Sequence, residues 1–422
     1  MSNKDDYTTN IEETTTKLQE LDGSLHEGGG QMIRISIGLC ALLKKSVKLF
    51  NIRAGRTKPG LKAQHMSGLQ IVHQMMGGPE YCQMKGCILN SKEVTFQFLP
   101  QLANTNDSTT NAAAASNIII KEQQHKKEEK FSIDIQTAGA TTLISQLAIP
   151  VALFRPSKSV LLDLKGGTDV DFAPTIEYYQ AIFGAILQRF TEDEGNNTSN
   201  LPTSTSSFGC QILKRGYFPK GGGQIQLTTK PLTKPLKAVT LTDPGNVEAI
   251  TIFSSCAGKV PREVAMRMAT SARQHLVTQG LRQESIEIVT QYFDSKEAFG
   301  NGSAIFIKAQ TTTGCVLGSS ALGSPKISPE KSGQKAAQSL FEYIEQGVCL
   351  DEYAQDQVII FMALAKGCSK FLTGPLTLHT QTAIYVVEQF TNARYKIHPV
   401  SEVTNIIECQ GIGLEPPNFK HL

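Results

Sequence analysis

The stretch from Gly28 to Pro79 contains no aspartate and no glutamate, although the chain as a whole carries 38 acidic residues against 41 Lys and Arg. A solvated surface ordinarily mixes both signs, so this absence argues against an idle face and for an anionic partner. Cysteine never occurs as a C-x-x-C pair, and the nine cysteines are scattered from Cys40 to Cys409. That spacing argues against structural zinc and against a secreted disulfide framework; the nearest pair, Cys82 and Cys87, reads as reduced thiol of an intracellular protein. No uncharged apolar run reaches the roughly 18 residues that a membrane span requires. The polar, acidic N-terminus lacks the apolar centre of a secretory signal.

Familiar phosphate-cradling loops are missing as well. The one Gly-Lys pair, Gly258-Lys259, has Phe253 where a P-loop places its first glycine, and no G-x-G-x-x-G occurs. Nucleotide chemistry in this chain must therefore use another scaffold. The 35 glycines cluster without a fixed period, which excludes collagen-like and simple repeat chains. Tryptophan is absent too, and its absence decides nothing.

What is present is enough material for two or three domains: 422 residues, 40% of them hydrophobic. Inside the acid-free stretch lie Arg34, Lys44, Lys45, Lys48, Arg53, Arg56, Lys58 and Lys62, so that 52 residues carry +8 in a chain of net charge +3. Phosphate is the usual counter-charge for such a block. Short β-branched runs at 94–99, 160–164, 212–217 and 224–228 alternate with helical periodicities after Gly30 and at 264–277, 352–365 and 382–390. This alternation predicts an α+β chain built from α/β-type units. Residues 1–17 read as a disordered polar tail, and 103–130 and 192–207 as exposed polar loop insertions. Residues 238–346 carry their own pattern of strands and helices and are expected to be a small inserted α/β domain, leaving 18–237 and 347–422 for a large domain. The glycine clusters at 26–35 and 219–227, with a poorer copy at 164–170, echo one another as a triplicated strand-turn unit would.

Four segments carry chemistry. Glu27-Gly28-Gly29-Gly30-Gln31 leads into the first helix. Glycines there let backbone N–H groups approach an anion at a helix N-terminus, and a carboxylate beside it suits a magnesium ligand, although a plain tight turn is equally compatible. Arg53, Arg56 and Lys58 fall within six residues and are followed by Gln64-His65; if 52–54 end a strand, alternation and the Gly-Pro turn aim the cations in different directions. His379 follows a strand-like run broken by Gly374 and Pro375 and precedes a helix. A neutral imidazole can attack phosphorus, although a histidine at a strand end is more often structural; Thr380 or Thr382 could orient it or cap the helix. Tyr353, Asp356 and Gln357 stand at i, i+3 and i+4, an aromatic, a carboxylate and an amide on one helix face suited to a base and its sugar.

Taken in order, EGGGQ-x-x-R (27–34), IRAGRTKPGL-x-x-QH (52–65), TAG (137–139), LKGGT (164–168), RGYFPKGGG (215–223), AFGNG (298–302), DEY-x-x-DQ (351–357), TGP-x-TLHTQTA (373–383) and IIECQGIG (406–413) resemble the RNA 3'-terminal phosphate cyclase family. The resemblance implies an ATP-dependent enzyme that converts an RNA 3'-phosphate to a 2',3'-cyclic phosphate. In that family a histidine attacks the α-phosphorus of ATP, AMP passes to the RNA 3'-phosphate, and the 2'-OH displaces it. Carried onto this chain, His379 is the adenylated nucleophile and Glu27 the ligand of Mg2+ or Mn2+. Arg34, Arg53, Arg56, Gln64 and His65 are the phosphate contacts, while Gln146, Pro174, Tyr353, Asp356 and Gln357 match the remaining nucleotide-contacting positions. The implied fold is a large domain of three β-α-β-α-β-β repeats with a smaller inserted α/β domain. The implied partners are ATP and RNA 3'-phosphate ends, and the implied location is the nucleus. Three rivals are the non-catalytic cyclase-like protein of ribosome biogenesis, which lacks the histidine pattern, the enolpyruvyl transferase family, which has a related folding unit, and a generic RNA-binding module, which would explain the basic block but not His379.

Overall fold

The computed structural model describes residues 18–99, 128–156, 159–192 and 207–417. The expected tail at 1–17 and most of the two expected insertions lie outside the described residues. At their margins the chain is already regular: the strand Glu129–Asp134 begins before residue 130, and Phe208–Gly216 begins directly after residue 207.

Three of the four sheets share one topology. In the first, Gln19–Asp22 and Val47–Phe50 run parallel and are joined by the helix Gly30–Leu43. After the helix Ala63–Met75 a hairpin follows, Cys82–Lys85 and Val94–Phe98, whose later strand pairs antiparallel with Val47–Phe50. The second sheet repeats this order. Glu129–Asp134 and Val160–Gly166 are parallel across the helix Thr141–Leu153, and the hairpin Phe208–Gly216 and Gly223–Thr229 docks by its later strand. The third is built from Thr240–Leu241, Lys366–Thr373, Arg394–Pro399 and Asn405–Ile412, with the helices Glu352–Gln357, Ile359–Leu364 and Leu378–Phe390. Each unit reads β-α-β-α-β-β. A parallel pair needs a crossover, which the helices supply, whereas an antiparallel pair needs only a turn.

The fourth sheet, in the order Ile286–Phe293, Val247–Ala257, Gly302–Thr311, Val316–Leu322, carries the helices Arg262–Thr278 and Pro329–Gln346. Ile252, Met268, Ile305 and Leu340 belong to its own core cluster. These elements fall between the first strand and the first helix of the third repeat. Thr240–Leu241 lies within the segment 238–346, yet it pairs with Lys366–Thr373 rather than with the fourth sheet.

The glycine echo does not mark equivalent places. Gly28–Gly30 join a first strand to a first helix, Gly221–Gly223 sit at the tip of a hairpin, and Gly166–Gly167 end a second strand. The repeat is carried by the order of elements, and the glycines answer separate local demands.

The helix Gly30–Leu43 packs against both Thr141–Leu153 and Leu378–Phe390, one from each of the other repeats. A Cβ on Gly38 would already touch Leu147 Cδ1 at 3.4 Å, so a small residue there sets the approach. Ile33, Ile37 and Leu147 are buried in one apolar core cluster. Burial of each contributes about 1.5–3 kcal/mol. No helix among the described residues is long and apolar enough to cross a membrane.

Candidate active site

The first helix begins at Gly30 after a tight turn. Gly28 takes a left-handed φ of 58°, its N–H donates to Leu25 O at 3.0 Å, and the turn presents Glu27. Gly29 is the N-cap and supplies no side-chain bond, and the first turn carries no acid, so the leading N–H groups lack a side-chain acceptor. A Cβ on Gly30 would stand 2.5 Å from His65 Nε2 and 3.1 Å from Arg34 Nη1, so both nitrogens lie at the helix start.

His65 is buried in the first turn of Ala63–Met75, where its Nδ1 accepts from the Lys62 N–H at 3.1 Å. The ring hydrogen therefore belongs to Nε2. Burial, with the charges of Arg34, Arg53 and Lys62, pushes its pKa down to about 3, so the ring is neutral at physiological pH. Helix N–H groups, a neutral imidazole N–H and a guanidinium thus gather at one place, which is a set of donors fitted to phosphate oxygens.

Arg34 is partly buried; removal of its guanidinium from solvent lowers its pKa, and the charges of Asp356 and Glu27 oppose that. It donates to Gln31 Oε1, and Gln31 Nε2 donates to Asp356 Oδ2 at 2.7 Å, while Arg34 Nε has no hydrogen-bond partner. Arg53 is not aimed by strand alternation, because the strand ends at Phe50 and Arg53 sits in a turn with φ 57°. Its Nε is buried and unpartnered, and burial followed by the charge of Arg56 lowers its pKa. Arg56 donates to Glu27 Oε1 and, at 3.3 Å, to Glu27 O.

His379 is the second residue of the helix Leu378–Phe390, inside its first turn rather than at a strand end. The strand Lys366–Thr373 stops before Gly374-Pro375, and Thr377 caps the helix by accepting from the Thr380 N–H at 3.1 Å. The imidazole is about half exposed, and its Nδ1 lies 3.9 Å from Glu27 Oε2, an oxygen that is buried without a hydrogen-bond partner. Neither Thr380 nor Thr382 bonds the ring. Thr382 Oγ1 accepts from the Glu27 N–H at 3.2 Å, and Thr380 Oγ1 donates to Gln355 Oε1 at 2.6 Å. Gln355 also holds Pro375 O at 3.2 Å and the Thr377 N–H at 3.0 Å. It therefore fixes the loop that presents His379. Sequence reasoning passed over Gln355 because it falls off the 353/356/357 face, and in a helix as polar as Glu352–Gln357 one more amide gives no signal.

Burial pushes the Asp356 carboxyl up to about 6, against the pull of His379 and Arg34. Gln357 Nε2 donates to Tyr353 O at 2.5 Å, while its Oε1 is buried and unpartnered. Gln31, Arg34, Gln146, Phe183, Asp356 and Gln357 line one cleft. Arg34, Gln64 and His65 line a neighbouring one, so the guanidinium stands between the two. Gln64 Oε1 accepts from the Ala140 N–H at 3.2 Å. Glu27, Arg53, Arg56 and His379 lie outside both linings, and so do two of the expected nucleotide contacts, Tyr353 and Pro174. The Tyr353 ring packs edge-on against Tyr178 at 5.8 Å, and Pro174 uses its carbonyl to accept from Thr142 Oγ1 at 3.0 Å.

Among the described residues no group of three or more His, Cys, Asp or Glu could cage a metal ion. The unpartnered Glu27 Oε2 suits a different arrangement, a hard divalent cation held by one carboxylate together with substrate phosphates and water.

A family model described as RNA 3'-terminal phosphate cyclase matches residues 25–397. A Dictyostelium discoideum protein named "Probable RNA 3'-terminal phosphate cyclase" is 35% identical over 413 residues, covering 95% of this chain and 84% of that protein. The RNA 3'-terminal phosphate cyclase of Drosophila melanogaster is 34% identical over 400 residues, covering 94% and 97%. That of Pyrobaculum neutrophilum is 33% identical over 393 residues, covering 93% and 98%.

Proposed function

The chain belongs to the RNA 3'-terminal phosphate cyclase family, and on that premise we propose that it consumes ATP to close an RNA 3'-phosphate into a 2',3'-cyclic phosphodiester through an adenylate on His379. The observation that carries this reading is the placement of a half-exposed imidazole beside an unpartnered carboxylate oxygen, next to a cluster of phosphate donors.

The first step is attack by a neutral imidazole nitrogen on the α-phosphorus of ATP. A P–N bond forms, the bond to the bridging oxygen breaks, and pyrophosphate leaves. Since Nδ1 is turned towards Glu27, Nε2 is the free nucleophile and Nδ1 keeps its hydrogen towards the carboxylate. An oxygen of the RNA 3'-phosphate then attacks the same phosphorus and releases His379, leaving AMP joined to the RNA end. Finally the ribose 2'-OH attacks the 3'-phosphorus and loses its proton as AMP departs and the ring closes. Adenylation converts a poor leaving group into a good one, and fixed cations stabilise charge in each transfer.

Arg34, Arg53, Arg56, Gln64 and His65 hold the phosphates in this scheme. Asp356, Gln357 and Gln146 receive the nucleoside from the cleft they line, and Tyr353 and Pro174 bound it from outside that lining. Glu27 would hold Mg2+ or Mn2+ through Oε2, and a bound divalent cation supplies charge neutralisation at the triphosphate.

The test is incubation with ATP labelled on the α-phosphate and either metal, followed by denaturing electrophoresis. An acid-labile label on the wild-type chain that is lost in His379→Ala is expected. A chain that stays unlabelled with both metals refutes the mechanism.

A further inference from the structure

Phe172, Phe218 and Phe299 are 101%, 67% and 44% exposed. Scattered exposed apolar residues are ordinary, but Phe172 and Phe218 lie on turns joined by the Asp169–Tyr217 bridge, and Phe299 lies on the short strand Ala298–Phe299 that pairs beside Phe218 at Gly216. Val170 and Ala173, on either side of Phe172, pack in one cluster with Ala138. Gly221 lies on the same segment: a Cβ there would stand 2.5 Å from Thr137 O and 2.9 Å from Ala138 Cα. The Phe299 ring covers Gly222, with Cδ1 2.3 Å from where a Cβ would be.

Two further features separate this surface from a chance patch. The Lys214 and Lys220 ammonium groups lie 5.8 and 5.7 Å from the Phe299 ring centroid, and neither is paired with a carboxylate among the described residues. Phe172 takes φ 62°, a left-handed conformation that is strained for a bulky side chain and that no packing of its own ring repays. The surface is also continuous with the phosphate donors. Gly139 stands against Gln64, whose Oε1 accepts from the Ala140 N–H at 3.2 Å, and Gln64 precedes His65.

We infer that this surface binds the single-stranded RNA segment that leads to the 3'-phosphate, with bases stacking on Phe172, Phe218 and Phe299 and backbone phosphates facing Lys214 and Lys220. Unpaired bases have free π-faces for aromatic rings, and the phosphodiester chain supplies the negative charge that two unpaired ammonium groups call for. In an A-form duplex those faces are buried, so a paired RNA end cannot use the rings. The direction of the strand rests on the proposed cyclase reading, because that reading brings the 3'-phosphate to the adenylate on His379, beside the phosphate donors; the binding itself needs neither ATP nor His379.

The experiment uses fluorescence anisotropy of a fluorescein-labelled single-stranded RNA 10-mer with a 3'-phosphate, the full chain and no ATP. Phe218→Ala and Phe299→Ala are each expected to raise Kd about tenfold, the scale of one lost base stack. Lys220→Ala is expected to lower the slope of log Kd against log salt by about 0.7. Phe172→Gly relieves the left-handed strain and so cannot weaken binding by unfolding the loop; it too is expected to raise Kd. Met266→Ala, an exposed apolar residue on the helix Arg262–Thr278, is expected to leave Kd unchanged. Unchanged Kd in the three phenylalanine variants overturns the inference. So does equal weakening on a blunt duplex of the same length, or a wild-type chain that does not bind the 10-mer. Because no step of this assay uses the nucleophile, a chain that binds the 10-mer through these rings but never labels on His379 overturns only the cyclase mechanism.

Discussion

Replacing Gly30 with alanine sets two effects of opposite sign against each other. Alanine favours the helix over glycine by at most about 1 kcal/mol. Against that, the new methyl would lie 2.5 Å from His65 Nε2 and 3.1 Å from Arg34 Nη1, where ordinary contact begins at 3.4 Å, so about 0.9 Å must be found on the imidazole side. His65 cannot give it freely, because the ring is buried and its Nδ1 is held by the Lys62 N–H. Overpacking of this kind costs about 1–3 kcal/mol, and loosening the Lys62 bond adds about 1 kcal/mol. The net expectation is a destabilisation of about 1–3 kcal/mol, seen calorimetrically as a fall of about 1–3 °C in Tm for a chain of this length, together with a loss of α-phosphate labelling of about a hundredfold as a donor is displaced from the developing charge. If Gly30 merely starts a helix, Tm rises and labelling persists. That result would refute both the steric argument and the placement of the phosphate.

Two other outcomes test the frame around the site. Arg155 donates to both carboxylate oxygens of Glu129, at 2.8 and 3.0 Å, with both side chains buried, so Arg155→Ala should cost about 3–5 kcal/mol by leaving Glu129 uncompensated; an unmoved urea midpoint would contradict that. Asp351 and Asp356 are each pushed up to about 6 by burial, whereas an unfolded chain titrates aspartate near about 3.9. Between about pH 4 and 6 the folded state therefore holds more protons, and these two groups make stability fall as pH rises through that window. Asp356→Asn should remove one of the two contributions and flatten the Tm–pH curve there relative to wild type, and an unaltered slope would count against the buried carboxyl.

The element pattern was legible because helices and strands of this chain keep their periodicities, whereas the triplication was read from the wrong residues. Glycines at 28–30 and 221–223 look alike in sequence but serve a helix start and a hairpin tip. What repeats is a pairing order, and no local string encodes a pairing order. The acid-free block shows a similar mixture. Arg34, Arg53 and Arg56 do come to Glu27 or its neighbours, by contact or by charge. Lys45, however, donates to Phe390 O at 2.6 Å, Lys48 pairs with Glu93 at 3.4 Å, and Lys62 Nζ reaches Pro59 O and Asn90. The count of +8 thus overstates the charge delivered to a ligand, since a sequence records charge but not direction.

The bond from the Glu27 N–H to Thr382 Oγ1 spans 355 positions, and that from Gln31 to Asp356 spans 325, so no window on the sequence contains either. Both bonds join the first repeat to the third. The second repeat enters through Gln146 and through the helix Thr141–Leu153 packed on Gly30–Leu43. Donors for phosphate come from the first repeat, the imidazole and the buried carboxyl from the third, and a wall of the cleft from the second. No single β-α-β-α-β-β unit holds more than a part of this chemistry, so the site exists only where the three units are packed together. Its geometry therefore depends on the shared apolar core, with Ile33, Ile37 and Leu147 in it, that holds them there.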